Sequence, residues 1–198
     1  MHLLKRTAGA FAVVVAVAVL GPLTPLAAQQ TRPLALSAFG GFTNDPTGFD
    51  VFRQSDFDQA YHFGGSLAFR LSANVGVRGD FALAKSSGHE SGALDEDVQF
   101  DRTYYGAAIE ARFPMGALTP YLLAGGGMVT VDRSAPNLTY AFSEMAGRLG
   151  GGVSLPLGGA SWALFAEVSE WIYARATTGE GLQMDMNVSI GVSFVPEL

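Results

Sequence analysis

The segment 183-QMDMNVSIGVSF-194 alternates apolar residues with polar or small residues at every step. Because successive side chains of a β-strand point to opposite faces, this alternation predicts a strand with one apolar face and one polar face. The apolar face carries Met184, Val188, Ile190, Val192 and Phe194, and the polar face carries Asp185 and Asn187. Which of these faces meets water decides the fold.

Seven further segments alternate in a similar way, with turn-forming residues between them. The predicted strands cover residues 34–43, 60–70, 74–86, 99–113, 118–132, 142–155, 161–175 and 183–195. Connections 71–73, 114–117 and 156–160 are short, whereas 44–59 and 87–98 are long and rich in Asp, Gly and Ser. Short turns at one end and long loops at the other are typical of outer-membrane barrels. The predicted fold is therefore all-β: an eight-stranded antiparallel up-and-down transmembrane β-barrel.

The composition favours a surface that meets lipid. Hydrophobic residues make up 48% of the 198 residues and charged residues 15%, well under the ~25% charge of an ordinary soluble domain. Lys5 and Lys85 are the only lysines, although lysine commonly keeps soluble surfaces hydrated and sheet edges unpaired. The chain has no cysteine, which excludes disulfides, a lipid anchor on cysteine and thiolate metal sites.

The N-terminus has the features of a secretory signal peptide. Lys5 and Arg6 precede an apolar run at 8–20, which helix-breaking residues and a small-residue site at 27–28 follow. A run of 13 residues is shorter than the ~20 that a transmembrane helix needs. We expect residues 1–28 to be cleaved and residues 29–198 to form the barrel domain. Cleavage would lower the net charge from −6 to −8 by removing two cations, and such acidity argues against a nucleic-acid partner.

The face assignments predict a filled, charged lumen. Over the central parts of the second to eighth strands the apolar face carries no charge, as a lipid-facing surface requires. The opposite face is rich in glycine, alanine and serine, among them Ala124 and Gly126, which suits a lumen only wide enough for side chains. Five arginines and five acids fall on this face: Arg70, Arg78, Arg102, Arg112 and Arg148 with Asp80, Glu110, Glu144, Glu167 and Asp185. Because buried charges must be paired, we expect a salt-bridge network that plugs the lumen; a narrow channel lined by the same pairs is the alternative.

Aromatic residues gather where the predicted strands meet their turns, as in the interfacial girdles of membrane barrels. Those at the short-turn end are Phe69, Phe113, Tyr121, Trp162 and Phe194, and those at the other end are Tyr61, Trp171 and Tyr173. The girdles and the signal peptide favour a membrane barrel over a soluble eight-stranded carrier whose apolar face turns inward.

The mature chain offers little for catalysis or metal binding. Of its two histidines, His62 is predicted to be a hydrogen-bonded lumen residue, and His89 lies in the loop sequence 86-SSGHESG-92. Loop acids could bind divalent cations near lipopolysaccharide phosphates, but solvated loop charge is the simpler interpretation; they are Asp45, Asp50, Asp56, Asp58, Asp95, Glu96 and Asp97. We expect no catalytic residue, no metal and no cofactor.

The chain resembles the small outer-membrane β-barrel family, which includes the OmpA transmembrane domain, OmpX, Ail and opacity-type proteins. The resemblance covers residues 29–198, and its most specific motif is the alternating terminal strand that ends at Phe194. In the family this strand is the signal that the barrel-assembly machinery recognises, although here Val-Pro-Glu-Leu follows the aromatic residue.

These observations lead to four functional hypotheses. The first is a structural or surface-interaction scaffold whose specificity lies in the extracellular loops. A narrow low-conductance pore, a lipid-modifying enzyme and a soluble lipocalin-like carrier follow in that order. The expected partners are outer-membrane lipids or lipopolysaccharide, the barrel-assembly machinery, and an extracellular ligand or host surface at the loops. The barrel itself is expected to be a monomer.

Overall fold

Strands form where the sequence alternates with period 2. The computed structural model describes residues 34–44, 55–57, 60–90, 96–134, 136, 139–157, 161–175 and 180–196. Within these ranges the strands are β1 (Leu34–Asn44), β2 (Ser55–Phe57), β3 (Ala60–Arg70), β4 (Val75–Glu90), β5 (Glu96–Arg112), β6 (Thr119–Ser134), β7 (Thr139–Leu157), β8 (Trp162–Arg175) and β9 (Glu180–Phe194). The predicted signal peptide lies outside the described residues.

Eight of these strands close into a barrel. β1 pairs with β3, each later strand pairs antiparallel with the next, and β1 pairs with β9 to close the ring. The short strand β2 pairs only with the end of β4 and is not part of the barrel wall. The predicted eight-stranded antiparallel fold is therefore confirmed, and β2 is an addition that the sequence did not predict.

The strands are staggered around the barrel. A path from Val75 that follows directly paired residues across every seam returns to β4 at Lys85, ten residues further along. The residues on this path are Val75, Ala111, Leu122, Gly151, Val168, Val188, Phe42, Tyr61 and Lys85. Stagger and strand number together set the tilt, which is ~40° for barrels of this kind.

One side of the barrel continues beyond the rim as a sheet. β4 and β5 stay paired as far as Glu90 and Glu96, so both strands extend further into the second long loop than the predicted 74–86 and 99–113. β6 and β7 accompany them up to Ser134 and Thr139. The projecting sheet thus consists of the long-loop ends of β4 to β7, with β2 along the edge of β4.

The apolar faces of the strands point outward. Large hydrophobic side chains are exposed on both halves of the chain, and examples are Leu36, Phe63, Phe81, Ile109, Met145, Leu164 and Ile190. A continuous exposed apolar band of this kind is foreign to soluble monomers, and its outward direction contradicts the soluble-carrier alternative. No helix long and apolar enough to cross a membrane occurs among the described residues.

Three aromatic residues do not lie where the sequence predicted. Phe69 and Trp162 are exposed beside the short turns, and Trp162 stacks on Phe194 with ring centroids 4.8 Å apart. Tyr121, Trp171 and Tyr173, in contrast, are buried inside the barrel, with 4%, 2% and 2% of their surface exposed. Their assignment to the outer girdles was wrong, because each lies an even number of residues from an inward position on its strand.

Two further face assignments need correction. On β6 the inward side chains include Leu123, Val129 and Val131, so Ala124 and Gly126 lie on the outer face rather than in the lumen. The sequence misled here because both faces of this strand are apolar. On β8 the outer face carries Glu170, which contradicts the expectation of an uncharged apolar face over the central parts of the second to eighth predicted strands.

Candidate functional site

The lumen has two layers. Near the long-loop end the buried residues are mostly apolar or aromatic: Ala60, Ala82, Ala84, Val98, Phe100, Tyr104, Val129, Val131, Ala146, Trp171 and Tyr173. Below this apolar layer, charged side chains from four strands meet. The sequence predicted the charged layer; it did not predict the apolar one.

The charged layer is centred on an ion pair between opposite walls. Arg78 on β4 donates from Nη1 and Nη2 to the two carboxylate oxygens of Glu167 on β8, at 2.6 and 3.2 Å. Its Nε donates to Asp80 at 2.7 Å. These three side chains expose no more than 6% of their surface. Two-pronged pairing of a planar guanidinium with a carboxylate is the strongest form of side-chain ion pair.

Arg148 on β7 extends the charged layer. It donates from Nη2 to Glu167 at 2.8 Å and forms a second ion pair with Asp80. The Arg148 guanidinium also lies 5.2 Å from the ring centroid of Trp171, within range of a cation–π contact. Arg148 therefore joins the charged layer to the apolar layer above it.

The remaining contacts reach β5 and β6. The hydroxyl of Tyr121 donates to Glu167 at 2.9 Å, which explains why this tyrosine faces inward. Arg112 donates to Glu110 at 2.8 Å, and Glu110 lies 3.9 Å from Arg78. Glu167 thus accepts from three donor residues, which satisfies a carboxylate that is 4% exposed.

A second charged cluster surrounds Asp185 on β9, a residue with no exposed surface. The hydroxyls of Tyr104 and Tyr173 donate to the same carboxylate oxygen, at 2.7 and 3.2 Å. Arg102 approaches the other oxygen at 3.7 Å. Asp185 therefore links the last strand to β5 and β8 inside the apolar layer.

Polar residues also bridge the closing seam of the barrel. His62 is 3% exposed, and its Nε2 lies 2.8 Å from the Ser189 hydroxyl. Its Nδ1 lies 3.1 Å from the Thr43 hydroxyl, which donates to Asn187 at 2.8 Å. These contacts connect β3, β1 and β9, and they place His62 in a hydrogen-bonded lumen position.

Two further residues of the predicted network lie away from the layer centred on Glu167. Arg70 is half-buried near the short turns and forms no ion pair with any described residue. Glu144 also faces inward but sits opposite Val129, at the level of the apolar layer. Arg133, which is 6% exposed, is an inward charge that sequence reasoning missed, because it lies on the strand whose faces could not be told apart.

The interior leaves little free space. A cavity of ≈ 10 Å³ lies between the two layers, lined by residues that include His62, Asp80, Arg148, Glu167 and Trp171. This is room for about one water molecule. Within the part of the chain that the structure describes, no group of three or more His, Asp or Glu side chains could hold a metal ion.

Most of the loop residues considered as candidate ligands or catalysts lie outside the described part of the chain. Asp45, Asp50, Asp58 and Asp95 lie outside the described residues, and so do the side chains of Asp56, His89 and Glu96. Asp97 is described, and it stands exposed on β5.

A closed ring of eight antiparallel strands, an apolar outer face and a filled polar interior define a transmembrane β-barrel. The family model for the outer membrane protein beta-barrel domain matches residues 12–194, and the chain belongs to this family. The protein is therefore an integral protein of the bacterial outer membrane, and the predicted family resemblance is confirmed.

Several solved barrels are similar to the chain. Neisserial surface protein A (NspA) is 14% identical with a TM-score of 0.53, and the match covers 82% of this chain and 97% of that one. Ail of Yersinia pestis, in complex with the heparin analogue sucrose octasulfate, is 15% identical with a TM-score of 0.50, at 82% and 97% coverage. The N-terminal barrel domain of Pseudomonas aeruginosa OprF is 18% identical with a TM-score of 0.50, at 82% and 96% coverage. No curated protein sequence matches the chain.

Proposed function

We propose that the protein is a structural and surface-interaction scaffold, in which a plugged barrel anchors the extracellular loops and the projecting sheet. The observation that carries this proposal is the pairing of a filled lumen with strands that continue beyond the rim. A filled lumen suits an anchor, and strands above the rim present residues to the outside.

The filled lumen favours a scaffold over a narrow pore. An ion would have to pass Arg78, Arg148 and Glu167, whose side chains contact one another across the bore. It would then meet the apolar layer, where Val129 and Val131 have no exposed surface. Single-channel recording in planar bilayers should therefore show no stable open state, whereas a stable nanosiemens-scale conductance would refute the scaffold.

The open edge of the projecting sheet supports a surface interaction. β7 pairs with β8 only from Ala146 onward, so no described strand pairs with residues 139–145 on that side. An unpaired strand edge can accept an extended polypeptide as an additional strand. We propose that an extracellular ligand or a host surface binds here and at the loops.

The charge at this end favours one kind of ligand over another. The heparin analogue bound to Yersinia pestis Ail is a polyanion. In the present chain, the outward charges described on the strand ends are Lys85 and three acids, Asp97, Asp101 and Asp132. A polypeptide partner therefore fits these strand ends better than a sulfated polyanion does.

We infer three further properties of the scaffold. Residues 1–28 act as a cleaved signal peptide, the terminal strand presents the chain to the barrel-assembly machinery, and the barrel is a monomer surrounded by lipid, including lipopolysaccharide. The protein is not an enzyme. His62 and Ser189 do form a histidine–serine pair, but both are buried beside a cavity that holds about one water.

Deletion of the long loops tests the surface role. Cells carrying the protein with residues 45–54 or 91–95 shortened, which leaves the paired strand ends intact, should adhere less to host cells or matrix than cells with the unaltered chain. A substitution in the short turn at 71–73 serves as the matched control. Heat-modifiable mobility on a detergent gel must show that each variant is folded, and unchanged adhesion of folded loop variants would exclude the surface role.

A further inference from the structure

Glu170 is a carboxylate on the lipid-facing surface that has no partner among the described residues. Its side chain is half-buried on the outer face of β8, between Val168 and Ile172. Its cross-strand neighbours are Leu149 on β7 and Met186 on β9. No described residue gives Glu170 a hydrogen bond or an ion pair. An ionisable residue facing lipid without a partner is costly, and it usually marks a site of interaction.

The carboxylate lies below the extracellular membrane boundary. Eight residue steps separate Glu170 from Trp162, an exposed aromatic residue at the periplasmic end of the same strand. At ~3.3 Å per residue and a tilt of ~40°, this distance corresponds to a depth of ~20 Å. The apolar band of outer-membrane barrels is ~25 Å tall, which places Glu170 about 5 Å inside the band.

The residues above Glu170 support this depth. Met145 and Leu182, which lie nearer the extracellular end on the adjacent strands, expose 83% and 66% of their surface and are apolar. On the opposite side of the barrel, the outward charged groups begin with Lys85, which pairs with Asp101 at 3.7 Å. The outward side chains immediately above Glu170 on the adjacent strands are therefore apolar, and the first polar group above them on β7 is Ser143. The carboxylate can reach the headgroups by extending upward past these apolar side chains.

We propose that Glu170, at this depth, binds the primary amine of a lipid headgroup in the extracellular leaflet. This inference rests on the proposed function, in which the scaffold lies in the membrane. An ammonium group brings opposite charge and N–H donors to the carboxylate, whereas a lipid phosphate is repelled by it. A two-fold pair of barrels would set Glu170 against Glu170, so charge disfavours a second copy on this face. The only lysine in the mature barrel is already paired with Asp101, four strands away.

Lipid retention tests the proposal, with phosphatidylethanolamine as the probe. The folded protein is placed in phosphatidylcholine nanodiscs with a minority of phosphatidylethanolamine, and the lipids that remain bound are counted by native mass spectrometry. We expect phosphatidylethanolamine to be enriched over its bulk fraction about two- to five-fold, the range for one partly exposed ion pair. Glu170→Gln should abolish the enrichment, and Asp132→Asn, at another outward carboxylate, should leave it unchanged.

Each other outcome overturns the amine site. Equal retention of both lipids by the unaltered protein, or enrichment that survives Glu170→Gln, excludes it. Enrichment of phosphatidylglycerol in the presence of Ca²⁺ would assign a cation bridge to lipid phosphate instead. A dimer that Glu170→Gln dissociates would assign the face to protein contact. Heat-modifiable mobility is measured in parallel, because a chain that does not fold in bilayers would refute the membrane scaffold itself.

Discussion

Arg78 on β4 and Glu167 on β8 form a two-pronged ion pair across the full width of the lumen, with N–O distances of 2.6 and 3.2 Å. Four seams separate their strands in either direction around the eight-stranded ring. The pair therefore ties opposite walls of the barrel together, and both of its side chains are buried.

Loss of this pair should destabilise the barrel strongly. Removing one partner leaves the other charge buried, so Glu167→Gln is expected to lower the free energy of unfolding by about 3–5 kcal/mol. Equilibrium urea unfolding in lipid vesicles measures the change. Asp101→Asn is the control, because Asp101 pairs with Lys85 at 3.7 Å and both side chains are exposed, and a loss as large there would contradict the central role of Glu167.

The buried hydroxyl of Tyr104 should matter more than the exposed one beside it. Tyr104→Phe removes the hydrogen bond to Asp185 and should cost about 1–3 kcal/mol, since the carboxylate stays buried. Tyr105→Phe removes a hydroxyl from a lipid-facing residue that is 41% exposed, and its effect should stay within about 0.5 kcal/mol. Equal losses of unfolding free energy in the two variants would show that the hydrogen bond between Tyr104 and Asp185 does not stabilise the barrel.

The two tryptophans should report opposite faces of the wall. Trp162 is 52% exposed and Trp171 is 2% exposed. In bilayers of brominated lipid, the Trp171→Phe variant, which keeps Trp162, should lose most of its fluorescence. The Trp162→Phe variant should be quenched little, because its remaining indole lies in the lumen. Strong quenching of the Trp162→Phe variant would show that Trp171 faces lipid in the outer girdle.

Gly125 should tolerate no side chain. A Cβ at this position would lie 2.1 Å from the carbonyl oxygen of Ala107 on the adjacent strand. Gly125→Ala is therefore expected to shift the backbone and to cost about 1–3 kcal/mol or more. Gly79→Ala is the matched control, because the nearest atom to its Cβ would be 3.8 Å away. The yield of heat-modifiable protein after refolding measures both, and similar yields would contradict the close packing of β5 and β6.

The sequence predicted the fold best where one face of a strand is apolar and the other is charged. On β4 the inward residues Arg78 and Asp80 oppose the outward residues Val77 and Phe81, so the period alone assigns both faces. On β6 Leu122 and Leu123 are adjacent and equally apolar. The alternation of residue types then does not show which side chains face the lumen and which face lipid. The assignments of Tyr121, Ala124 and Gly126 were wrong for that reason.

Part of the site could have been found by consistent use of the period. Glu167 was assigned to the lumen, and Trp171 and Tyr173 lie four and six residues beyond it, so they must share its face. Trp171 and Tyr173 were nevertheless assigned to the outer girdle, because aromatic residues prefer membrane interfaces. The choice of partners within the lumen was not accessible, because Arg78 and Glu167 are 89 residues apart in the chain and meet only when the ring closes.

The ten-residue stagger also determines the bore. For a closed barrel, strand number and stagger together determine the radius, and both are whole numbers. Dilation cannot proceed by small steps, since any change of stagger would require the hydrogen bonds of a whole seam to break and re-form in a new register. The radius of the barrel is therefore fixed. Extracellular segments can vary in length and sequence without altering the part that the membrane surrounds.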